Sequence, residues 1–187
     1  MKNNYNISNI IINSPWKLVN EILMYLIKPF VFIYLKFNGV KIGKNFKFYG
    51  FPKIYRYKNS DITIGNNFEC RNWWFSNPLG INHPTIICTW EKDAVLRIGD
   101  DVGISGGSIV ASSSVIIGDR VLIGANSTII DTDFHPTVGL NKRYSKENIK
   151  SGSVIIGDNC FIGMNSIILK GVKIKNNSVI PAGEIVR

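Results

Sequence analysis

A chain of 187 residues, 45% of them apolar, is long enough to bury one continuous core and too short for two ordinary domains. Only 19% of residues are charged, which excludes a disordered polar chain, and three cysteines (Cys70, Cys88 and Cys160) without a C-x-x-C pair support neither a disulfide scaffold nor a cysteine-built zinc site and point to a reducing compartment. The net charge of +9 sits wholly in residues 1–60, where ten Lys or Arg face Glu21 alone, while residues 61–187 hold twelve of each sign.

The first fifteen residues are polar and Asn-rich, and no small-residue cleavage site follows the apolar stretch behind them, so the chain is expected to stay in the cytoplasm. Residues 16–35 are the most apolar stretch, but Lys17, Glu21 and Lys28 interrupt it and Pro29 removes a backbone donor, so it is not expected to span a bilayer. Ser14 before Pro15 reads as an N-cap with proline at the first helical position. It predicts a helix over about 15–27 and a second, short one after Pro29. Residues 1–37 therefore read as a basic, apolar helical segment. The charge of residues 1–60 suits peripheral contact with anionic lipid headgroups rather than a nucleic-acid groove; lysines that merely solubilise an apolar leader are the other reading.

Beyond residue 40 the sequence repeats. The tags Ile42-Gly43-Lys44, Ile64-Gly65-Asn66, Ile98-Gly99-Asp100, Ile117-Gly118-Asp119 and Ile156-Gly157-Asp158 recur. Between them an aliphatic residue returns every six positions, most plainly at Ile156, Ile162, Ile168, Ile174, Ile180 and Val186. A period of six fits neither a 3.6-residue helix nor simple alternation, but it fits a short strand plus a corner wound into a solenoid, three units to a coil of eighteen. Two tag intervals exceed one coil by sixteen and twenty-one residues, which predicts loops at about 71–92 and 131–153. Such loops on a rigid stack are where function resides. Each coil exposes its apolar ladder to the next, so the ends need covers, and the apolar leader is a natural one.

The segments Ile98–Pro136 and Val154–Val172, within a repeat spanning residues 38–187, resemble the hexapeptide-repeat acyltransferases, in particular the O-acetyltransferases of sugars and surface polysaccharides. The resemblance implies a mainly β fold, a left-handed parallel β-helix, assembled as a homotrimer with each active site between two protomers. It implies that His135, in the string Asp131-Thr132-Asp133-Phe134-His135-Pro136, is the general base that draws the proton from an acceptor hydroxyl as it attacks acetyl-CoA. Asp133, or else Asp131, would orient that imidazole. Coenzyme A would lie along Gly163, Met164, Ala182 and Gly183, with Lys170, Lys173 and Lys175 either meeting its phosphates or forming a solvated face. Relatives carry a tail past this point, whereas this sequence stops at Arg187.

The chain departs from the pattern at Ser105-Gly106-Gly107-Ser108. Gly106 stands where sugar-acetylating relatives carry an acceptor-binding asparagine, which leaves Ser105 either as an acceptor contact or as part of a small-residue turn. His83, near Trp73, Trp74 and Trp90, is a candidate acceptor wall, or else these aromatics seal the helix surface. The second loop carries Lys142, Arg143, Lys146 and Lys150. No metal is expected, because the chain has two histidines, too few for a three-histidine zinc site like that of repeat-family carbonic anhydrases. The expected function is acetyl-CoA-dependent O-acetylation of a sugar or glycan precursor in the cytoplasm or at the inner membrane face. N-acetylation of an amino sugar and a non-catalytic, membrane-associated scaffold are the alternatives.

Overall fold

The structure, a computed structural model, describes residues 13–138 and 143–187. The first twelve residues of the expected leader and Lys142 of the second loop lie outside the described residues. Helix α1 runs from Pro15 to Phe37, and the rest is a stack of six coils, each giving one strand to each of three parallel six-stranded sheets. In coil 4, for example, Ser114–Ile117, Leu122–Ile123 and Thr128–Ile130 belong to the first, second and third sheet in turn.

The six-residue period becomes three inward-facing ladders. Ile42, Ile64, Ile98, Ile117, Ile156 and Ile174 pair in register in the first sheet. Phe48, Cys70, Ile104, Ile123, Ile162 and Ile180 do so in the second. Ile54, Ile87, Ile109, Ile129, Ile168 and Val186 do so in the third. All of them belong to one core or pack against it. Each buried aliphatic side chain is worth roughly 1.5–3 kcal/mol, and only stacking removes it from water.

The tag itself has a second cause. Down the corner between the first and second sheets, Oδ1 of Asn66, Asp100, Asp119, Asp158 and Asn176 each accepts the backbone N–H of the equivalent residue one coil earlier, at 2.7–2.9 Å. A glycine precedes each of them except Asn176 and lies flat on the corner of the next coil. A Cβ on Gly65 would stand 2.3 Å from Asp100 Oδ1 and 2.5 Å from the Gly99 carbonyl oxygen. The Ile-Gly-Asx string is thus a core residue, a contact too close for a side chain, and a rung of a hydrogen-bond ladder.

Where two helices were expected, α1 is one helix with Pro29 inside it. Pro29 and Tyr25, whose carbonyl loses its partner, are both exposed, so the defect faces outward, while Val31 and Leu35 beyond it are fully buried in the core. Ser14 stands at the N-cap with Pro15 next, but its side chain makes no capping bond. The helix covers the open end of coil 1. Tyr49 donates from its hydroxyl to Glu21, the Tyr34 hydroxyl accepts the Ile54 N–H at 3.2 Å, and Phe32 stacks on Phe46.

Both insertions leave the stack beside the third sheet. The first occupies 72–85, and Ile86–Thr89, placed within the last part of the expected loop, is a strand, because Ile87 and Cys88 fall in register with Ile109 and Val110. The second lies between Ile130 and Val154.

Candidate functional site

The second insertion begins with a buried anchor. Asp131 is fully buried, its Oδ1 accepting the Ser112 N–H at 2.6 Å and its Oδ2 those of Ser113 and Ser114 at 2.7 Å each. A short antiparallel pairing follows, with Thr132 opposite Ser151 and the Asp133 N–H donating to the Lys150 carbonyl at 3.0 Å. Phe134 then turns the chain with φ of 58°, a left-handed conformation that a bulky residue adopts only under constraint, and its ring meets Trp90 edge-on at 5.4 Å.

That turn places His135 on the outside. Its Nδ1 lies 2.9 Å from the Arg143 carbonyl oxygen, and the Arg143 guanidinium donates to the Pro136 carbonyl at 2.6 Å, closing the loop around the imidazole. A carbonyl can only accept, so Nδ1 carries the hydrogen and Nε2 presents its lone pair, the form a general base needs. The orienting partner is thus a backbone carbonyl, and neither expected aspartate fills that role. Asp131 is spent on three backbone donors, and Asp133 binds Lys170 Nζ at 2.6 Å, with its Oδ2 buried and without a partner. Lys170 is correspondingly drawn away from the corner of Gly163, whereas Lys173 and Lys175 are exposed.

The first insertion is pinched at its neck by Asn72, whose Oδ1 accepts the Thr85 N–H at 2.8 Å, and reaches across to coil 4, where Asn126 Oδ1 accepts the Asn82 N–H at 2.9 Å. This seats His83 Nε2 3.1 Å from Ser108 Oγ on the third sheet. Gly106 lies beneath the crossing with φ of +49°, and a Cβ there would stand 2.2 Å from Ile81 Cγ2. The asparagine of sugar-acetylating relatives has no room at this position. Ser105 lies on the far side of that corner, in a hollow of about 340 Å³ shared with Arg71 and Leu122. Trp74 is 75% exposed and packs edge-on to Phe75, which borders α1 at Trp16 and Val19. Trp90, through Phe134, is the tryptophan that the fold joins to the His135 turn.

The outer face of the third sheet, with Ser108, Thr128 and Ile130 between the core-facing residues, is therefore flanked by His83 at its leading corner and His135 beyond its trailing corner. Gly163 and Met164 lie on the leading corner two coils beyond Ser108, and Ala182 and Gly183 on the same corner one coil further. There the backbone is stacked without side chains between, since a Cβ on Gly163 would meet the Ala182 nitrogen at 2.3 Å. Within one chain this bare corner and His135 stand at opposite edges of the third sheet and on different coils. Nothing in local sequence marks Lys170 as the partner of Asp133, 37 residues away. Among the described residues, no three His, Cys, Asp or Glu side chains gather as metal ligands.

The family model described as "Hexapeptide repeat of succinyl-transferase" matches residues 114–131 and 153–187, that is, coils 4 to 6. No curated protein is matched by the sequence. Among solved structures, a single-residue mutant of AntD, an N-acyltransferase from Bacillus cereus, in complex with dTDP and coenzyme A, is similar with a TM-score of 0.58 and 22% identity over 79% of this chain and 73% of that one. A second mutant of the same enzyme, in the same complex, gives a TM-score of 0.55 at the same identity and coverage. Coils 4 to 6 thus carry a hexapeptide repeat, and the chain as a whole folds as a left-handed parallel β-helix similar to that of these structures.

Proposed function

We propose that this protein is an acyltransferase that moves an acetyl group from acetyl-CoA to a hydroxyl of a sugar or glycan precursor, with His135 as general base. The observation that carries the reading is the His135 turn: an exposed imidazole whose tautomer is fixed by the Arg143 carbonyl, set up by Phe134 in a left-handed conformation. The acceptor oxygen attacks the thioester carbonyl while Nε2 takes its proton, the C–S bond breaks, and the imidazolium returns the proton to the departing thiolate. Coenzyme A lies along the Gly163–Met164 and Ala182–Gly183 corner, which is open at Gly183, where a Cβ would meet nothing within 4 Å. Asp133, held by Lys170, fixes the chain two residues before His135 and acts as a positioning residue. The corner and the histidine meet across the third sheet or, in a homotrimer, between neighbours. His83 and Ser108 form the acceptor side.

A second reading, N-acylation of an amino sugar, is favoured by the matched structures, which are those of an N-acyltransferase holding dTDP and coenzyme A. The same Nε2 would then deprotonate an ammonium. Thiol release from acetyl-CoA, measured against a panel of sugars, amino sugars and nucleotide sugars, separates the two. His135→Ala is expected to lower turnover about 10²–10⁴-fold with coenzyme A binding retained. Unchanged turnover would overturn the assignment of the base.

A further inference from the structure

Helix α1 buries one face and leaves the other bare. Asn20, Met24, Val31 and Leu35 are buried against coil 1, whereas Val19, Ile22, Leu26, Phe30, Ile33 and Phe37, spaced three or four apart, are each half or more exposed, Phe37 at 87%. Apart from the exposed Tyr25 hydroxyl and the lysines at its borders, this outer face is apolar over five turns, which is unlike the solvent face of an ordinary helix. Its borders have a different character. Lys17 lies over the Trp16 ring, Lys36 over Phe32 and Lys28 over Phe46, so ammonium groups flank the apolar stripe through aromatic contacts.

We propose that this face docks α1 flat on an anionic lipid bilayer, with the stripe in the headgroup and upper acyl region and the flanking lysines among lipid phosphates. Two observations select the bilayer over a second copy of the chain. The whole excess charge of +9 lies in residues 1–60, around this helix, so a symmetric contact of the face with itself would bring like charges together, whereas an anionic membrane neutralises them. The stripe also continues beyond the helix: Phe75 and Pro78 of the first insertion share a hollow with Trp16 and Val19, and Trp74 and Leu79 beside them are exposed. By length and composition α1 could cross a membrane. Its inner face is nevertheless part of the core, and its Glu21 is bonded to Tyr49, so the helix lies along the surface as a cap rather than through the bilayer.

The test is co-sedimentation of the full chain with vesicles of phosphatidylcholine alone and of phosphatidylcholine with 30 mol% phosphatidylglycerol. The expected result is binding to the anionic vesicles, weakened at least tenfold between about 0.1 and 0.5 M salt as screening shortens the reach of the charges. Leu26→Glu/Phe30→Glu, at positions that are each 63% exposed, should lower partitioning at least tenfold with the melting temperature and the oligomeric state unchanged. Absence of binding to anionic vesicles would overturn the proposal, as would binding that this double variant leaves intact. A change of oligomeric state in the double variant, seen by analytical ultracentrifugation, would assign the face to a second copy instead. These outcomes are independent of catalysis, so the docking surface and the transferase reading stand or fall separately.

Discussion

Replacing Asp131 with alanine removes the acceptor of three backbone N–H groups at once, those of Ser112, Ser113 and Ser114 at 2.6–2.7 Å. A buried donor left unpaired costs about 1–3 kcal/mol, and bonds to a carboxylate are at the strong end. Ser113 is exposed and its N–H can find water, whereas Ser112 and Ser114 are half-buried, so the loss is about 2–4 kcal/mol in total. For a chain of this size each kcal/mol moves the melting temperature by about 2–4 °C, which predicts a fall of about 5–15 °C. Asp131→Asn keeps one oxygen, which can still serve Ser113 and Ser114 while its amide opposes the Ser112 N–H, and should lose about half as much. Thermal unfolding followed by circular dichroism reads both. Because Asp131 also fixes the first residue of the loop that carries His135, Asp131→Ala should reduce turnover even well below its melting point. A melting temperature within about 1–2 °C of the parent would refute the reasoning, since it would mean that the three donors are hydrated in the native state.

Other predictions rest on the same geometry. Gly65→Ala drives a Cβ to 2.3 Å from Asp100 Oδ1 and 2.5 Å from a backbone oxygen, so it should break the corner ladder and cost about 1–3 kcal/mol by urea unfolding. Asp61, through its bond to Lys41, and Asp100, through the Asn66 N–H, are held below the usual carboxylate range, so the unfolded chain takes up protons first as pH falls. Their contribution to stability is whole above about pH 4 and drains away below it, which urea midpoints at pH 7 and pH 3 would show. Burial pushes the Cys70 thiol up to about 12 and that of Cys88 to about 11, so a disulfide reagent at pH 8 should leave both unmodified until denaturant is added.

The solenoid was legible in the sequence because one short string does several jobs. Ile64-Gly65-Asn66 supplies a core residue, a steric necessity and a hydrogen-bond acceptor, so it recurs where the chain turns the same corner. The insertions showed as breaks in that period, although a loop expected to run to residue 92 ends at Ile86, whose strand lacks the tag but matches Ser108 in register. Two features were not legible. Pro29 argued for a break in the helix, and only burial of Val31 and Leu35 beyond it, with the lost hydrogen bond turned outward, makes one helix the better solution. The aspartates before His135 read as its orienting partners by proximity alone. Their true partners, Ser112–Ser114 and Lys170, lie far off in the sequence, and a carbonyl eight residues on accepts the imidazole N–H.

The measurement that tests the central claim most directly is a calorimetric titration of the purified chain with coenzyme A, since it needs no knowledge of the acceptor. Saturable binding of one coenzyme A per chain, lost when Ala182→Trp fills the bare corner beside Gly163, is the result this account predicts. A folded protein that takes up no coenzyme A, or one whose binding is indifferent to Ala182→Trp, would contradict it.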